Sequence, residues 1–331
     1  MNKRVDGIEA AVAGERADTV PYSLWTHLPG IDLDPVRNAE HTFQFYQDYD
    51  VDILKTMNNG MYSVEDFGAR VDYSQIASGG VAVITDSPVK KAEDWESLEP
   101  ASIDKGALLR EQTYLKLLLE KTGKEVPVLF TVFSPLTTAF KLCPDLMKHV
   151  SEGHGNSVKH ALRVIAETTC RLTERVIGMG ADGIFFATQL SSYSRAEEEF
   201  YREYGKPYDM EVLHASRGWC NTLHAHGKDI MFPLLRDYPV EIFNWHAWES
   251  LPAVDEARDL TGKCIMGGLE RMDITEGHKN QIEYQIYRTH EREQKDGKMI
   301  LSPECVIRYP LDREMLSFVR KAKEEIEGRL L

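Results

Sequence analysis

Short apolar or β-branched runs alternate along the whole chain with longer stretches of helical spacing. Runs at 20–25, 52–57, 126–133, 183–188, 220–226, 241–245, 264–267 and 299–301 read as strands. Segments 117–122, 157–179, 210–218, 253–261, 280–295 and 313–330 carry the spacing or composition of helices, and the charged N-terminal stretch reads as a short helix. Strand–helix alternation predicts a parallel sheet with helices outside it. Eight units in 331 residues give about 40 residues each, a barrel-like figure. A doubly wound open sheet is the rival, and it advertises a Gly-rich turn after its first strand. Here the first strand runs into Trp25-Thr26-His27-Leu28-Pro29-Gly30, which is no phosphate loop. The pattern therefore predicts an α/β fold, a (β/α)8 TIM barrel built as a single domain. One unit is stretched: residues 61–125, with a strand at 81–85 and an acidic segment at 93–99, read as an insertion after strand two, over the barrel mouth.

Composition narrows the partners. The net charge is −14 and no Lys/Arg block appears, which argues against nucleic acid. No stretch approaches the roughly 20 apolar residues of a membrane span, and the N-terminal stretch lacks a signal-peptide core. A cytoplasmic protein acting on a small-molecule substrate is expected. The five cysteines are odd in number and form no CxxC, so reduced thiols are expected rather than a disulfide framework.

In a barrel, side chains at the C-terminal strand ends line the active site. Reading those ends gives the candidates. Trp25, Asn58, Tyr62, Gln189 and Trp245 are candidate substrate contacts, and His27, His246 and Glu270 are candidate acid–base residues. Glu270 could equally serve as a fourth metal ligand. The bland alternatives are core packing for Trp245 and a surface position for His246. The run Glu197-Glu198-Glu199 reads as a solvated helix face.

His224 and His226, at the end of strand five, are the sharpest feature. Residues i and i+2 of a strand point to one face about 6.6 Å apart, and two imidazoles can converge on one metal at about 2.0–2.1 Å. By itself the pair also suits one histidine packed in the barrel and the other bonded to a neighbour. Cys305 ends strand eight, and side chains from both strands can meet near the axis of a narrow barrel. Two histidines, one cysteine and an open position make a catalytic zinc arrangement, although a buried apolar cysteine is the ordinary alternative. Cys220 shares the parity of His224 but lies about 13 Å down the strand. Cys143, Cys170 and Cys264 are expected to be structural.

A set of motifs completes the picture. Arg16-Ala17-Asp18-Thr19-Val20-Pro21 leads into strand one, and Asp52-Ile53-Leu54-Lys55-Thr56-Met57 forms strand two with Gly60 after it. Ser134-Pro135-Leu136-Thr137-Thr138-Ala139 follows strand three, and Gly180-Ala181-Asp182-Gly183-Ile184-Phe185 opens strand four. His224-Ala225-His226-Gly227, Gly267-Gly268 and Leu301-Ser302-Pro303-Glu304-Cys305 end the series. Together, in this order and spacing, they resemble the uroporphyrinogen decarboxylase superfamily over nearly the whole chain. That resemblance implies one of two chemistries: cofactor-free decarboxylation of porphyrinogen acetates, or zinc-assisted methyl transfer between a corrinoid and a thiol. The corrinoid/coenzyme M methyltransferases carry a His-x-Cys pair and a distant Cys as zinc ligands. That pattern falls on His224, His226 and Cys305, with His in place of the middle Cys. The resemblance also implies a corrinoid on a partner protein and a homodimer. The decarboxylase branch fits less well. Its first strand is followed by an Arg motif that clamps carboxylates, and the stretch from Ser23 to Pro29 contains no Arg. The expectation is a zinc-dependent methyltransferase. The alternatives are a decarboxylase-like lyase and a non-catalytic barrel that binds a corrinoid or tetrapyrrole.

Overall fold

The computed structural model describes residues 3–15, 19–78 and 81–330. Residues Arg16, Ala17 and Asp18 of the first motif lie outside the described residues. Seven parallel strands pair in chain order: Leu54–Lys55, Val128–Phe133, Gly183–Thr188, Thr222–Ala225, Ile242–Trp245, Cys264–Leu269 and Met299–Pro303. The expected first strand is present as a short bridging segment. Ser23 N–H donates to Leu301 O (2.9 Å), Leu301 N–H donates to Pro21 O (2.8 Å), and Asp52 N–H donates to Tyr22 O (2.8 Å). The segment thus touches the last strand on one side and the run before Leu54 on the other, closing the curled sheet into a barrel. Strands are numbered below from this segment, so that Thr222–Ala225 is the fifth and Met299–Pro303 the eighth.

Every residue of Val128–Phe133 and Gly183–Thr188 is buried. These strands read as continuous apolar runs because one face meets the barrel interior and the other the surrounding helices. The helix Gly155–Met179 buries Val158, Ala161, Leu162, Ile165 and Ala166 along one stripe and ends at Gly180, whose φ of +112° takes the left-handed region. Close strand packing has its own demand at Gly183. A Cβ there would lie 2.8 Å from the Cys220 carbonyl carbon, so any larger residue would wedge the fourth strand from the loop entering the fifth.

Helix extends beyond the sequence reading at several places. The helix expected at 117–122 runs over Gly106–Thr122. A helix at Pro35–Tyr49, between the first two strands, was not expected. Asp34 caps it by accepting from Val36 N–H (2.9 Å) and Arg37 N–H (3.1 Å), and Pro35 occupies the first turn where a missing N–H costs nothing. Between the second and third strands lie a short helix, Tyr62–Glu65, and an antiparallel hairpin pairing Arg70–Asp72 with Val83–Asp86. No helix among the described residues is long and apolar enough to cross a membrane.

Candidate metal centre

At the C-terminal end of the barrel, His224, His226, His246 and Cys305 bring one ligand atom each within 4.8 Å of one another. The fifth strand supplies two of them through its two-residue repeat. Its end is prolonged past Ala225 by the His226 N–H donated to Thr188 O (2.9 Å). The chain then turns at Gly227, whose φ of +98° a side chain would strain. The sixth strand supplies His246. Cys305 follows the eighth, where Glu304 N–H donates to Leu269 O (3.1 Å) and Ile307 N–H to Trp25 O (3.1 Å), tying the Cys305 turn to the seventh strand and the first segment.

Asn244 orients the cluster. Its amide nitrogen donates to Met266 O (2.7 Å), which turns its oxygen towards His224 Nδ1 (2.5 Å). An amide oxygen can only accept, so the His224 proton sits on Nδ1 and the Nε2 lone pair faces Cys305 Sγ at 3.8 Å. His226 Nδ1 lies 3.6 Å from the same sulfur and 3.2 Å from His246 Nε2. Tetrahedral bonds of about 2.0–2.1 Å to nitrogen and about 2.3 Å to sulfur require N···N edges of roughly 3.3 Å and N···S edges of roughly 3.6 Å. The three distances at hand, 3.8, 3.6 and 3.2 Å, lie close to these lengths, and the donor set suits zinc chemically.

The electrostatics agree. Burial, together with His226 and His246, holds His224 well below the ordinary imidazole range. Burial and Arg271 push His226 down to about 4, and burial with His226 and Arg271 pushes His246 to about 3. Each ring is thus held neutral, with one nitrogen free of a proton, as a metal ligand must be. His246, expected as an acid–base residue, lies among the donors of the cluster, where a neutral imidazole suits ligation.

A cavity of about 450 Å³ opens beside the cluster, and His224, His226 and Cys305 line it. His246 does not, so it stands behind the other three. Trp25, His27 and Gln189 also line the cavity. The other sequence candidates lie elsewhere. Asn58 is buried and donates to Glu111 Oε2 (2.8 Å). Tyr62 packs against Phe130 and Phe133 and donates its hydroxyl to Thr131 O (2.7 Å). Trp245 packs on Phe232 and Phe243 and donates to Ser250 O (3.2 Å). Strand alternation explains Trp245: with Asn244 and His246 facing inward, the residue between them must face out. Glu270 precedes the helix Arg271–Glu276 without a side-chain capping hydrogen bond, is not among the residues lining the cavity, and has its carboxyl raised by burial and by Asp273.

Sequence reasoning missed Asn244, Lys55, Lys141 and Arg271. The latter three line the cavity, together with Arg308. Their presence also corrects the inference from strand one: the cavity has cations, supplied by other elements than the one that lacks Arg.

The chain belongs to the uroporphyrinogen decarboxylase (URO-D) family, whose model matches residues 26–326. It is 27% identical over 129 residues to the methylcobamide:CoM methyltransferase MtbA of Methanosarcina mazei, and 26% identical over 129 residues to MtbA of Methanosarcina acetivorans. Those matches cover 39% of this chain and span 38% of the relatives' length. Among solved structures, a methyltransferase from Methanosarcina mazei superposes with a TM-score of 0.83 at 18% identity, over 96% of this chain and 97% of that one. A B12-independent methionine synthase from Shewanella sp. W3-18-1 gives 0.58 at 13% identity, over 94% and 96% of the two chains. At these identities the structural likeness speaks for the barrel fold.

Proposed function

From the family membership and the donor set, we propose that this chain is a zinc-dependent methyltransferase. It moves a methyl group between a small methylated substrate or thiol and a corrinoid carried by a partner protein. One observation carries the reading: His224 Nε2, His226 Nδ1 and Cys305 Sγ converge at the cavity wall, at the edge lengths of a tetrahedral zinc site. The partial matches to methylcobamide:CoM methyltransferases support it.

His224, His226 and Cys305 would hold the metal, with His246 as the fourth donor from behind. Bound there, zinc supplies a Lewis acid that polarises a thiol or an ether oxygen. Asn244 fixes the His224 tautomer through its own backbone anchor. Trp25 and Phe185 pack edge to face beside the cluster (5.6 Å between centroids), and Phe185 stacks on His224 (5.2 Å), screening that wall from water. His27 and Gln189 are among the polar side chains of the cavity wall available to orient a substrate. A cavity of about 450 Å³ takes a small molecule, so the much larger corrinoid macrocycle would be presented at the mouth. The same size weighs against a porphyrinogen as substrate, although the cationic wall would tolerate its carboxylates.

Elemental analysis of the purified chain, followed by methyl transfer from methylcobalamin to short thiols with and without a chelator, tests the proposal. One zinc per chain and chelator-sensitive transfer are expected. A metal-free protein that gains no zinc on incubation, or transfer indifferent to Cys305→Ala, sinks it. Release of carbon dioxide from a porphyrinogen would favour the lyase instead, and none is expected.

A further inference from the structure

Behind the cluster, a buried ring nitrogen and a carboxylate face each other, and neither has a hydrogen-bond partner. His246 is 2% exposed, and its two nitrogens look opposite ways. Nε2 lies on the cluster side, 3.2 Å from His226 Nδ1. Nδ1 is buried without a partner, and Glu249 Oε1 stands 3.6 Å from it. The Glu249 carboxylate accepts no hydrogen bond among the described residues. Two cations stand at ion-pair range instead: Arg271 Nη2, 3.7 Å from the same oxygen, and Lys228 Nζ, 3.9 Å from the other. The backbone fixes where this carboxylate sits. Residues 247–249 form the turn after the sixth strand, closed by Glu249 N–H donating to His246 O (2.9 Å). Trp248 N–H donates to Oε2 of Glu304 (2.9 Å), which is 1% exposed and directly precedes Cys305. The turn that carries Glu249 is therefore fastened beside the cysteine of the cluster.

A neutral imidazole that offers Nε2 to a metal carries its proton on Nδ1. A buried donor left without an acceptor is costly, so the ligating tautomer of His246 needs one. Glu249 is the acceptor in reach. A charge-assisted N–H···O bond spans about 2.7–2.9 Å, so the carboxylate and the ring stand less than about 1 Å from making it. Glu304 is the other carboxylate nearby, and one of its oxygens is taken by Trp248. We infer that Glu249 is a positioning residue of the metal centre: it accepts the Nδ1 proton of His246 and holds that ring in the tautomer and orientation that present Nε2 to the ion bound by His224, His226 and Cys305. Glu249 thus does for His246 what Asn244 does for His224, with a full charge in place of an amide dipole, which also raises the donor strength of the ring. This assignment rests on the metal centre of the proposed function and not on methyl transfer.

Chelator competition for zinc on the full chain, with no methyl donor or acceptor present, tests the inference. Glu249→Ala should weaken zinc binding roughly 10–100-fold, the usual loss when the partner of a metal-bound histidine is removed. Glu249→Gln keeps an acceptor oxygen without the charge and should lose less. The Glu249 side chain is 25% exposed and sits on a turn, so both variants should fold, and melting of the metal-free forms verifies it. Nitrogen-15 NMR of the histidines in zinc-loaded wild type supplies a readout that needs no variant at Glu249. His246, assigned by its loss in His246→Gln, should carry its proton on Nδ1, with that proton shifted downfield by the carboxylate. The shift should vanish in Glu249→Ala, whereas a residue that merely supports the turn would leave it in place. Unchanged zinc affinity in folded Glu249→Ala, or a wild-type His246 protonated on Nε2, overturns the inference. So do two metal ions per chain falling to one in Glu304→Gln, because His246, Glu249 and Glu304 gather within 4.8 Å and would then hold a cation of their own. A wild type that takes up no zinc overturns the inference and the proposed function together. Zinc binding that depends on Glu249, without methyl transfer, keeps the inference and refutes that function.

Discussion

His290 and His224 are both buried histidines of the same barrel, yet their surroundings ask opposite things of an imidazole. His290 faces an acceptor at each nitrogen: Ile286 O at 2.9 Å from Nδ1 and Glu327 Oε1 at 2.9 Å from Nε2. Lys323 Nζ donates to the same carboxylate oxygen (2.7 Å), as does Val20 N–H (3.1 Å). His224, His226 and His246 have no carboxylate within hydrogen-bond distance of a ring nitrogen. The nearest, Glu249 Oε1, stands 3.6 Å from His246 Nδ1, which has no hydrogen-bond partner. The first arrangement is complete in protein alone and serves to pin the helices Lys279–Asp296 and Arg313–Leu330 to the start of the barrel. The second gathers three imidazoles and a thiol with their donor atoms close together, as a candidate metal site would. Burial of a histidine is thus uninformative by itself, and the character of its neighbours decides between structure and site.

The largest effect should come from breaking the second cluster. His224→Ala and Cys305→Ala should each lose stoichiometric zinc by elemental analysis. Methyl transfer should fall roughly 1,000-fold, because a bound metal contributes several kcal/mol to the transition state. Their metal-free forms should melt close to metal-free wild type. Retained zinc with unchanged turnover would erase the distinction drawn between the two clusters.

Breaking the first cluster should do the converse. Glu327→Ala leaves His290 and Lys323 buried without their acceptor and should cost roughly 3 kcal/mol of unfolding free energy, as removal of one partner of a buried pair does. Denaturant titration measures this, and zinc content should stay at the wild-type value. If zinc were lost as well, the two clusters would be coupled through the barrel and the contrast would be false.

A finer probe is Asn244→Ala. It leaves all four donors in place and removes only the group that holds the His224 tautomer. Zinc affinity measured by chelator competition should weaken roughly 10–100-fold, the usual consequence of losing a partner behind a metal-bound histidine. An unchanged affinity would mean that stacking on Phe185 suffices to orient the ring.

How much of this was legible follows from what each residue had to satisfy. The barrel strands were visible because both faces are covered, so apolar runs such as 128–133 have no competing signal. The first strand was legible as sequence but forms only a bridge. The helix Pro35–Tyr49 was missed because Asn38 and Thr42 interrupt its buried stripe with polar residues, and its best signal was the Asp34-Pro35 start. His224 and His226 were readable from strand parity. The same rule applied to the sixth strand would have turned Asn244 inward and Trp245 outward. Lys55 and Lys141 escaped notice because lysine ordinarily marks a surface. A lysine inside an otherwise buried strand was the available clue.

The smallest expected effect concerns pH, and it sharpens the character of the first cluster. Burial alone would raise the Glu327 carboxyl, but the hydrogen bond from His290 and the charge of Lys323 hold it below the ordinary glutamate value. A carboxylate depressed in the folded state binds fewer protons there than in the unfolded chain. Stability from this group is therefore present above the unfolded value of 4.5 and is lost as pH falls through the lower folded value. Glu327→Gln removes the titrating group while keeping an acceptor oxygen. Unfolding free energies measured from pH 6 downward should fall less steeply in the variant than in wild type, with the curves diverging only below about 4.5. Parallel curves would mean that Glu327 titrates alike in both states, and the His290 cluster would then be a matter of packing rather than of charge.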